Sequence, residues 1–284
     1  MTQLRWRRRD VPMMKPLVIS LTVWLCHAGL AQPVYTVQTV AGSNPLGDGG
    51  PATNAVILNP NVVITDPSGN VYIAENQGRV RRVATSGIIT TVAGTPGVPS
   101  PGANSGDGGP AVQAGLNVPL GLAIDSSGTL LYIVEFQACR IRLVNLTTGI
   151  ITTVAGDGVC RLGADGSAAT TSFDYPAALL MDSQGRLVVA ERVGNRIRRI
   201  DSSGNITTIA GTGTAGLAGN GGPAAQAQIA SPTSLSEDSS GNLFFTIPRI
   251  AWCGRSMPRR EFCKPSPAPR VGSAAMAGRL SPRR

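Results

Sequence analysis

Histidine, lysine and aromatic residues are scarce in this 284-residue sequence: His27 is the only histidine, Lys15 and Lys264 are the only lysines, and aromatic residues make up 4%. A single imidazole disfavours histidine-based acid–base or metal chemistry. Glycine and proline are abundant instead, at 35 and 21 residues. So many turn-forming residues argue against a helical bundle and favour an all-β fold. The apolar fraction of 42% is sufficient for a hydrophobic core.

The net charge of +9 is concentrated at the two ends of the chain. Residues 1 to 30 carry five basic residues and one acid, and residues 249 to 284 carry nine basic residues and one acid. Residues 31 to 248 carry eleven arginines and fourteen acids, a net charge of −3. The central part therefore lacks the basic excess that nucleic-acid binding requires.

The amino-terminal segment has the pattern of a signal peptide. Basic residues up to Lys15 precede an apolar run from Leu17 to Cys26, and Gly29 and Ala31 are small residues at the positions that a signal peptidase reads. We expect residues 1 to 31 to be removed and the mature chain to be periplasmic or extracellular. A start at Met13 or Met14 would give a more compact signal. A membrane anchor is the alternative, but the run is shorter than the roughly 20 apolar residues that a span needs.

Four repeats follow. A Thr-Val-Ala-Gly or Thr-Ile-Ala-Gly segment ends at Gly42, Gly94, Gly156 and Gly211, at spacings of 52, 62 and 55 residues. An Asp-x-x-Gly segment recurs in phase with it, at Asp66 and Gly69, Asp125 and Gly128, Asp182 and Gly185, and Asp238 and Gly241. Self-similarity of this period is typical of solenoids and propellers.

Each repeat contains four short runs rich in β-branched residues and bounded by turn residues, which predicts a four-stranded antiparallel meander. The predicted first, innermost strands are residues 62 to 66, 120 to 124, 177 to 181 and 233 to 237. The predicted blades are residues 62 to 93, 119 to 155 and 176 to 210, with a partial blade from 232 to 246. Such a sheet cannot bury both faces alone, so blades must stack, either in an open array or radially as a β-propeller.

The repeats resemble those of the NHL β-propeller family. PLGLAIDSSGTLLYIVEFQACRIRLV and YPAALLMDSQGRLVVAERVGNRIRRI are similar to its Asp-x-x-Gly-Asn, Tyr-Ile-Ala-Asp and Asn-x-Arg-Ile-Arg pattern. The linkers GDGGPATNAVILNP, GDGGPAVQAGLNVP and GNGGPAAQAQIASP resemble the teneurin-type branch. The resemblance covers residues 34 to 248 and implies an exported bacterial member of a family that usually has six blades. It also implies that residues 34 to 41 are a closing strand.

The resemblance stops at Thr246. Residues 249 to 284 are rich in arginine and proline and have no periodicity. A one-base shift of the reading frame allows Ile247 to Met257 to read Asp-Thr-Ala-Asn-Arg-Val-Val-Arg-Lys-Val-Asp, which matches a third strand. The sequence therefore predicts a signal peptide at 1 to 31, a propeller fragment of three and a half blades at 32 to 248, and a disordered, frame-shifted tail at 249 to 284. A natural basic tail is the alternative. We also expect that this ring cannot close as written.

Three sets of acidic residues are candidate site residues. The turn aspartates Asp66, Asp125, Asp182 and Asp238 can each cap their own turn or together form a carboxylate ring for calcium; the first interpretation is preferred, and no cofactor is expected. Glu75, Glu135 and Glu191 are predicted to form ion pairs with Arg79, Arg140 and Arg196 on the next strand. Asp48 and Asp107 lie in Gly-Asp-Gly-Gly segments without a P-loop or EF-hand pattern, and are predicted to form turns before a short helical stretch from Ala52 to Leu58.

Two cysteines remain once the signal peptide and the tail are set aside. Cys139 opens a third strand, and Cys160 lies just beyond the antiparallel fourth strand of the same blade. The hairpin brings both to the same rim. In an oxidising compartment this placement favours a disulfide; two free thiols are the alternative.

Three functions are compatible with the sequence. An exported, non-catalytic binding or adhesion scaffold for a protein or carbohydrate is preferred, because the mature chain has no histidine. A secreted calcium-dependent lactonase or lyase is the alternative, and it needs a calcium site of Asp, Asn and Glu near the axis. RNA binding, as in animal NHL proteins, is disfavoured by the negative charge of the central part.

Overall fold

Each repeat forms one antiparallel sheet in the computed structural model, which describes residues 47 to 95 and 106 to 248. All of these residues belong to one compact unit of the chain. The predicted signal peptide, the closing strand predicted at 34 to 41 and the tail at 249 to 284 lie outside the described residues. No helix in the described ranges is both long and apolar enough to span a membrane.

Three complete blades and half of a fourth are described, which confirms the all-β propeller. The first sheet contains Pro60–Thr65 (β1), Val71–Glu75 (β2), Arg79–Val83 (β3) and Ile89–Ala93 (β4). The second contains Pro119–Ile124 (β5), Leu130–Glu135 (β6), Arg140–Asn145 (β7) and Ile150–Ala155 (β8). The third contains Pro176–Met181 (β10), Leu187–Glu191 (β11), Arg196–Ile200 (β12) and Asn205–Ala210 (β13), with Gly166–Ser167 (β9) added at its outer edge. The half-blade pairs Ser234–Glu237 (β14) with Leu243–Thr246 (β15).

The blades follow one another around a common centre. The first strands β1, β5, β10 and β14 contact one another in sequence order, as expected if the first strand of each blade is innermost. Apart from the added edge strand β9, the observed sheets begin and end within two residues of the predicted blades. The helical stretch predicted from Ala52 to Leu58 is shorter than expected: a 3₁₀ turn covers Ala52–Asn54, and equivalent turns cover Ala111–Gln113 and Ala224–Gln226.

The hydrophobic core lies between blades, because the apolar side chains of one sheet pack against those of the next. Each linker adds an apolar side chain to the layer that it crosses. Leu116 lies in the cluster between the first and second blades, Phe173 in that between the second and third, and Ile229 in that between the third and the half-blade. Stacking therefore buries faces that a single meander would expose.

Every first strand begins with the same irregularity. The residue before its proline has a left-handed backbone, with φ between 48° and 53° at Asn59, Val118, Tyr175 and Ser231. In the three complete blades, the carbonyl of this residue accepts a hydrogen bond of 3.0 Å from the turn between the second and third strands. A shift of register follows the proline in each first strand of the complete blades. These bulges bend the first strands where they begin, at one rim of the propeller.

We call this rim the upper rim. It consists of the residues before each first strand and the turns between second and third strands, residues 76 to 78, 136 to 139 and 192 to 195. The opposite lower rim consists of the turns between first and second strands, residues 66 to 70, 125 to 129, 182 to 186 and 238 to 242.

Candidate functional site

The turn aspartates lie on the lower rim, and each one is bound by its own turn. Asp66 Oδ1 accepts hydrogen bonds from the backbone N–H groups of Ser68 (2.9 Å) and Asn70 (2.8 Å). The other three carboxylates bind their turns in the same way, Asp125 through Ser127, Thr129 and Leu130, Asp182 through Gln184 and Arg186, and Asp238 through Ser240 and Asn242. The glycines Gly69, Gly128, Gly185 and Gly241 close these turns with φ between 72° and 85°.

The electrostatics of the turns follow from these bonds. Burial alone would raise the pKa of the Asp66 carboxyl, but donors from Asn70, Tyr72 and Ser68 lower it below its ordinary value. The carboxylate is therefore ionised and engaged locally. Among the described residues, no three Asp, Glu, His or Cys side chains come together as metal ligands. Within these ranges, the four turn aspartates are each engaged in a separate turn and are not gathered into one cluster.

The predicted glutamate–arginine pairs occupy equivalent positions in the three complete blades. Glu75 and Arg79 face each other on β2 and β3, with a separation of 2.6 Å between Oε2 and a guanidinium nitrogen. Glu191 pairs with Arg196 at 2.7 Å, and Glu135 pairs with Arg140. All three glutamates are at most 1% exposed. These carboxylates hold strands together inside a blade and are not presented to a ligand.

A second arginine two residues further along each third strand was missed by the sequence reasoning. Arg81, Arg142 and Arg198 are completely buried, and each reaches an aspartate of the preceding linker: Asp48 at 2.6 Å, Asp107 at 2.5 Å and Asp165 at 3.1 Å. We call these three pairs the linker clamps. The sequence does contain a signal for these pairs, because an Asp-Gly linker precedes an Arg-x-Arg strand in each complete repeat. The aspartate and the arginine of each pair lie more than thirty residues apart in sequence.

Further bonds close the linker clamps of the first and third blades. Arg81 also donates to the carbonyls of Gly47 and Val56, both at 3.0 Å, and Thr91 on the outermost strand donates to Asp48 at 2.5 Å. In the third blade, Thr208 takes the place of Thr91 and binds Asp165 through its N–H and its hydroxyl. Each linker is thereby fastened to the outer strands of the blade that follows it.

The pKa values agree with a structural role for the linker clamps. Burial alone would raise the pKa of the Asp48 carboxyl, but hydrogen bonds from Thr91 and Arg81 bring it below its ordinary value. Asp165 is lowered in the same way by Thr208 and Arg198. Burial raises the pKa of Glu191 against the opposing charges of Arg196 and Arg198. Each charged group is matched by a partner in its own blade, so these clusters have no free acid or base.

The upper rim between the second and third blades is built differently. The linker there, residues 156 to 175, lacks the Gly-Asp-Gly-Gly segment. A disulfide joins its Cys160 to Cys139 in the turn of the second blade, with Cα atoms 5.2 Å apart. Asp157 binds Arg161 and Ser172, both at 2.8 Å, and folds residues 157 to 163 into a loop. The rings of Phe136 and Tyr175 lie beside this loop, 5.1 Å apart between centroids.

This loop holds large apolar side chains in solvent. Val159 is 46% exposed, Leu162 52%, and Val193 on the adjacent turn 49%. The third-blade turn and the following linker meet at Leu162: a β-carbon at Gly213 would lie 3.7 Å from both Leu162 Cδ1 and the Gly194 carbonyl. We call Val159, Leu162, Arg192 and Val193 the rim patch.

The rim patch includes one charged side chain and lies near a cavity. Arg192 is exposed, and its guanidinium has no partner within the described part of the chain. A cavity of about 230 Å³ opens beside the loop and is lined by residues 161 to 165, 167 and 170 to 172. Nothing in the sequence pattern pointed to this surface, because the third linker departs from the Gly-Asp-Gly-Gly motif.

Comparisons with known proteins place these features in context. No protein-family model matches the chain. Mouse teneurin-1 is 28% identical over 216 residues and human teneurin-4 is 27% identical over 216 residues; each alignment covers 70% of this chain and 8% of the relative. The chain therefore spans less than a tenth of these relatives. Among solved structures, an auxiliary nutrient binding protein from Bacteroides thetaiotaomicron has the same fold, with a TM-score of 0.50, 21% identity, and coverage of 68% of this chain and 46% of that one.

Proposed function

We propose that this chain, an NHL-repeat β-propeller, is an exported, non-catalytic binding scaffold whose ligand contacts the rim patch. One observation carries the proposal. The buried charged groups of the blades are occupied by internal ion pairs, whereas the loop tied down by Cys160 exposes Val159 and Leu162, and the third-blade turn exposes Val193. The repeats hold the rim rigidly in place, and the rim exposes apolar side chains. Both features suit recognition of another molecule.

The energetics of the rim patch favour contact with a partner. Burying a fully exposed Val or Leu side chain contributes about 1.5 to 3 kcal/mol, and Leu162 and Val193 are each about half exposed. The disulfide lowers the entropy that the loop would lose on binding, because residues 157 to 163 are already fastened at Cys160. A preformed apolar surface of this kind binds with little ordering cost.

A non-catalytic role is supported by the chemistry of the side chains. The only histidine, His27, lies in the predicted signal peptide. The turn aspartates are engaged by backbone donors, and the buried glutamates by arginines. A lactonase or lyase mechanism would need an acid, a base or a metal site that these groups do not supply. The solved relative with the same fold is described as a binding protein, which fits the proposal by analogy.

The ligand class is proposed as an exported protein segment or a carbohydrate, because the amino-terminal segment and the disulfide both suit an oxidising compartment outside the cytoplasm. The exposed Arg192 beside the apolar side chains adds a donor for a carboxylate or a sugar hydroxyl. RNA is disfavoured, because the central part of the chain has a net charge of −3.

The proposal is tested by selecting ligands on the immobilised full chain, with a displayed peptide library and a glycan array as separate arms. Selected ligands are then titrated against Leu162→Asp and against Val112→Asp. Val112 is a matched control, because it is 48% exposed on a linker turn of the second blade and lies outside the rim patch. We expect Leu162→Asp to weaken binding about tenfold or more, equivalent to about 1.4 kcal/mol, and Val112→Asp to leave it unchanged. Ligands that bind both variants equally well contradict the proposed surface.

A further inference from the structure

The linker before the half-blade differs from its counterparts at one position. The first two linkers carry Asp48 and Asp107, each followed by glycine and each four residues before the alanine that opens a 3₁₀ turn. In the linker before the half-blade, Asn220 stands four residues before Ala224, which opens the equivalent turn. Ala111 and Ala224 also accept equivalent hydrogen bonds, from Gly94 and Gly211. Asn220 therefore occupies the position of the linker-clamp aspartates.

The surroundings of Asn220 are open. Both Asn220 and Gly221 are exposed, and a β-carbon at Gly221 would meet no heavy atom within 4 Å. Gly222 N–H donates to the Gly219 carbonyl at 3.2 Å, which forms a turn around the pair. Within the described residues, neither the Asn220 carboxamide nor the Gly221 N–H has a hydrogen-bond partner.

Asn220 is followed by glycine, the residue that hinders attack on the asparagine side chain least. Asn220-Gly221 is the only Asn-Gly pair among the 284 residues. Glycine has no β-carbon to hinder ring closure, and it reaches conformations that other residues avoid; Gly221 has φ of +82°. The aspartates at the equivalent positions are held by buried arginines, whereas Asn220 is uncharged and unbound.

We infer that Asn220 is a site of spontaneous deamidation, which gives the linker before the half-blade the carboxylate that the preceding linkers already carry. The backbone nitrogen of Gly221 attacks Cγ of Asn220, a new C–N bond forms, and the bond to the side-chain amide nitrogen breaks with loss of ammonia. The nitrogen of Gly221 gives up its proton as the succinimide ring closes. Water then opens the ring at one of its two carbonyls and leaves aspartate or isoaspartate. The reaction needs no reactant other than water.

Two consequences follow for the protein. Conversion lowers the net charge from +9 by one. It also divides an ageing preparation into species that differ in the backbone of the turn at residues 219 to 222, because isoaspartate adds a methylene group to the main chain.

The test is to incubate the purified full chain at neutral pH, digest it and follow each asparagine-containing peptide by mass spectrometry. We expect a gain of roughly 1 Da, the change from amide to carboxylate, confined at early times to the peptide that contains Asn220, with isoaspartate as a product. Gly221→Ala should slow the conversion strongly, and Asn220→Gln should abolish it. Asn220→Asp provides the charge reference.

A synthetic peptide spanning residues 215 to 226 keeps the test independent of how well the variants fold. Because Gly221 N–H is free in the folded chain, we expect the full chain to deamidate at nearly the rate of the free peptide. Protection of Asn220 in the full chain relative to the peptide would overturn the inference. An unchanged rate in Gly221→Ala would also overturn it.

Discussion

At the scale of single residues, this propeller buries arginines at positions where an unpaired charge would be strongly destabilising. Arg81, Arg142 and Arg198 have no exposed surface, and a buried guanidinium is tolerated only where carboxylates and carbonyls surround it. Glutamate from the second strand and aspartate from the linker supply those acceptors in all three complete blades. The linker aspartates should therefore contribute to stability far more than isolated surface acids do.

Asp48→Asn tests this contribution. We expect a loss of about 1 to 2 kcal/mol in the free energy of unfolding at pH 7, because the neutral amide leaves Arg81 with a weaker partner; the figure is reduced because Asp48 is partly exposed. The pKa of Asp48 is lowered from 3.8 in the folded state. Its contribution is thus complete above pH 3.8 and is lost as the pH falls through the lower folded-state pKa.

The measurement is urea unfolding of the wild type and Asp48→Asn over a series of pH values. The difference between them should be constant near neutrality and shrink below pH 3.8. Asp174→Asn is the control, because the Asp174 carboxylate has no hydrogen bond or ion pair within the described ranges. A difference that persists unchanged into acid would mean that the charge of Asp48 does not support the linker clamp.

At the scale of strands and linkers, the backbone at the end of the fourth strand lies so close to a neighbouring turn that only glycine fits there. Gly156 follows the fourth strand of the second blade with φ of +96°, and a β-carbon there would lie 2.6 Å from the Cys139 carbonyl oxygen. Gly149, in the turn before the same strand, has φ of +72° and open space around it. The pair separates the cost of backbone strain from the cost of a steric clash.

Gly156→Ala should destabilise the chain by about 3 kcal/mol or more, because left-handed strain of roughly 1 to 2 kcal/mol adds to overpacking of roughly 1 to 3 kcal/mol. Gly149→Ala should cost only the strain. Thermal and urea unfolding of both variants measure the difference. Equal losses would show that the chain end of the fourth strand can move away from the Cys139 carbonyl.

The disulfide between Cys139 and Cys160 fastens the third linker at the same scale. It closes a loop of 21 residues, and such a loop is expected to stabilise by roughly 3 kcal/mol in the chain-entropy model. We expect Cys139→Ser with Cys160→Ser to lose about that amount and to become insensitive to reductant. The control replaces the two cysteines of the predicted tail, Cys253→Ser with Cys263→Ser. A titration that finds free thiols at Cys139 and Cys160 in the exported protein would contradict the bond.

At the scale of the whole molecule, the blades were predictable because their signals are local. Asp66 and Gly69 fix a turn within four residues, and alternating apolar residues such as Tyr72 and Ala74 fix a strand within five. The linker clamps were not predictable in this way, because Asp48 and Arg81 lie 33 residues apart in sequence and meet only after the linker folds back on the outer strands. The rim patch depends on an irregular linker, for which no repeat supplied a template.

We propose that the upper rim between the second and third blades is the ligand surface, and hydrogen–deuterium exchange tests this most directly. The full chain is compared with and without a peptide recovered from the displayed library. We predict slower exchange in residues 157 to 163 and 192 to 195, and unchanged exchange in the lower-rim turns at 66 to 70, 125 to 129 and 182 to 186. Protection confined to the lower rim, or bound peptide without protection at the upper rim, would contradict the claim.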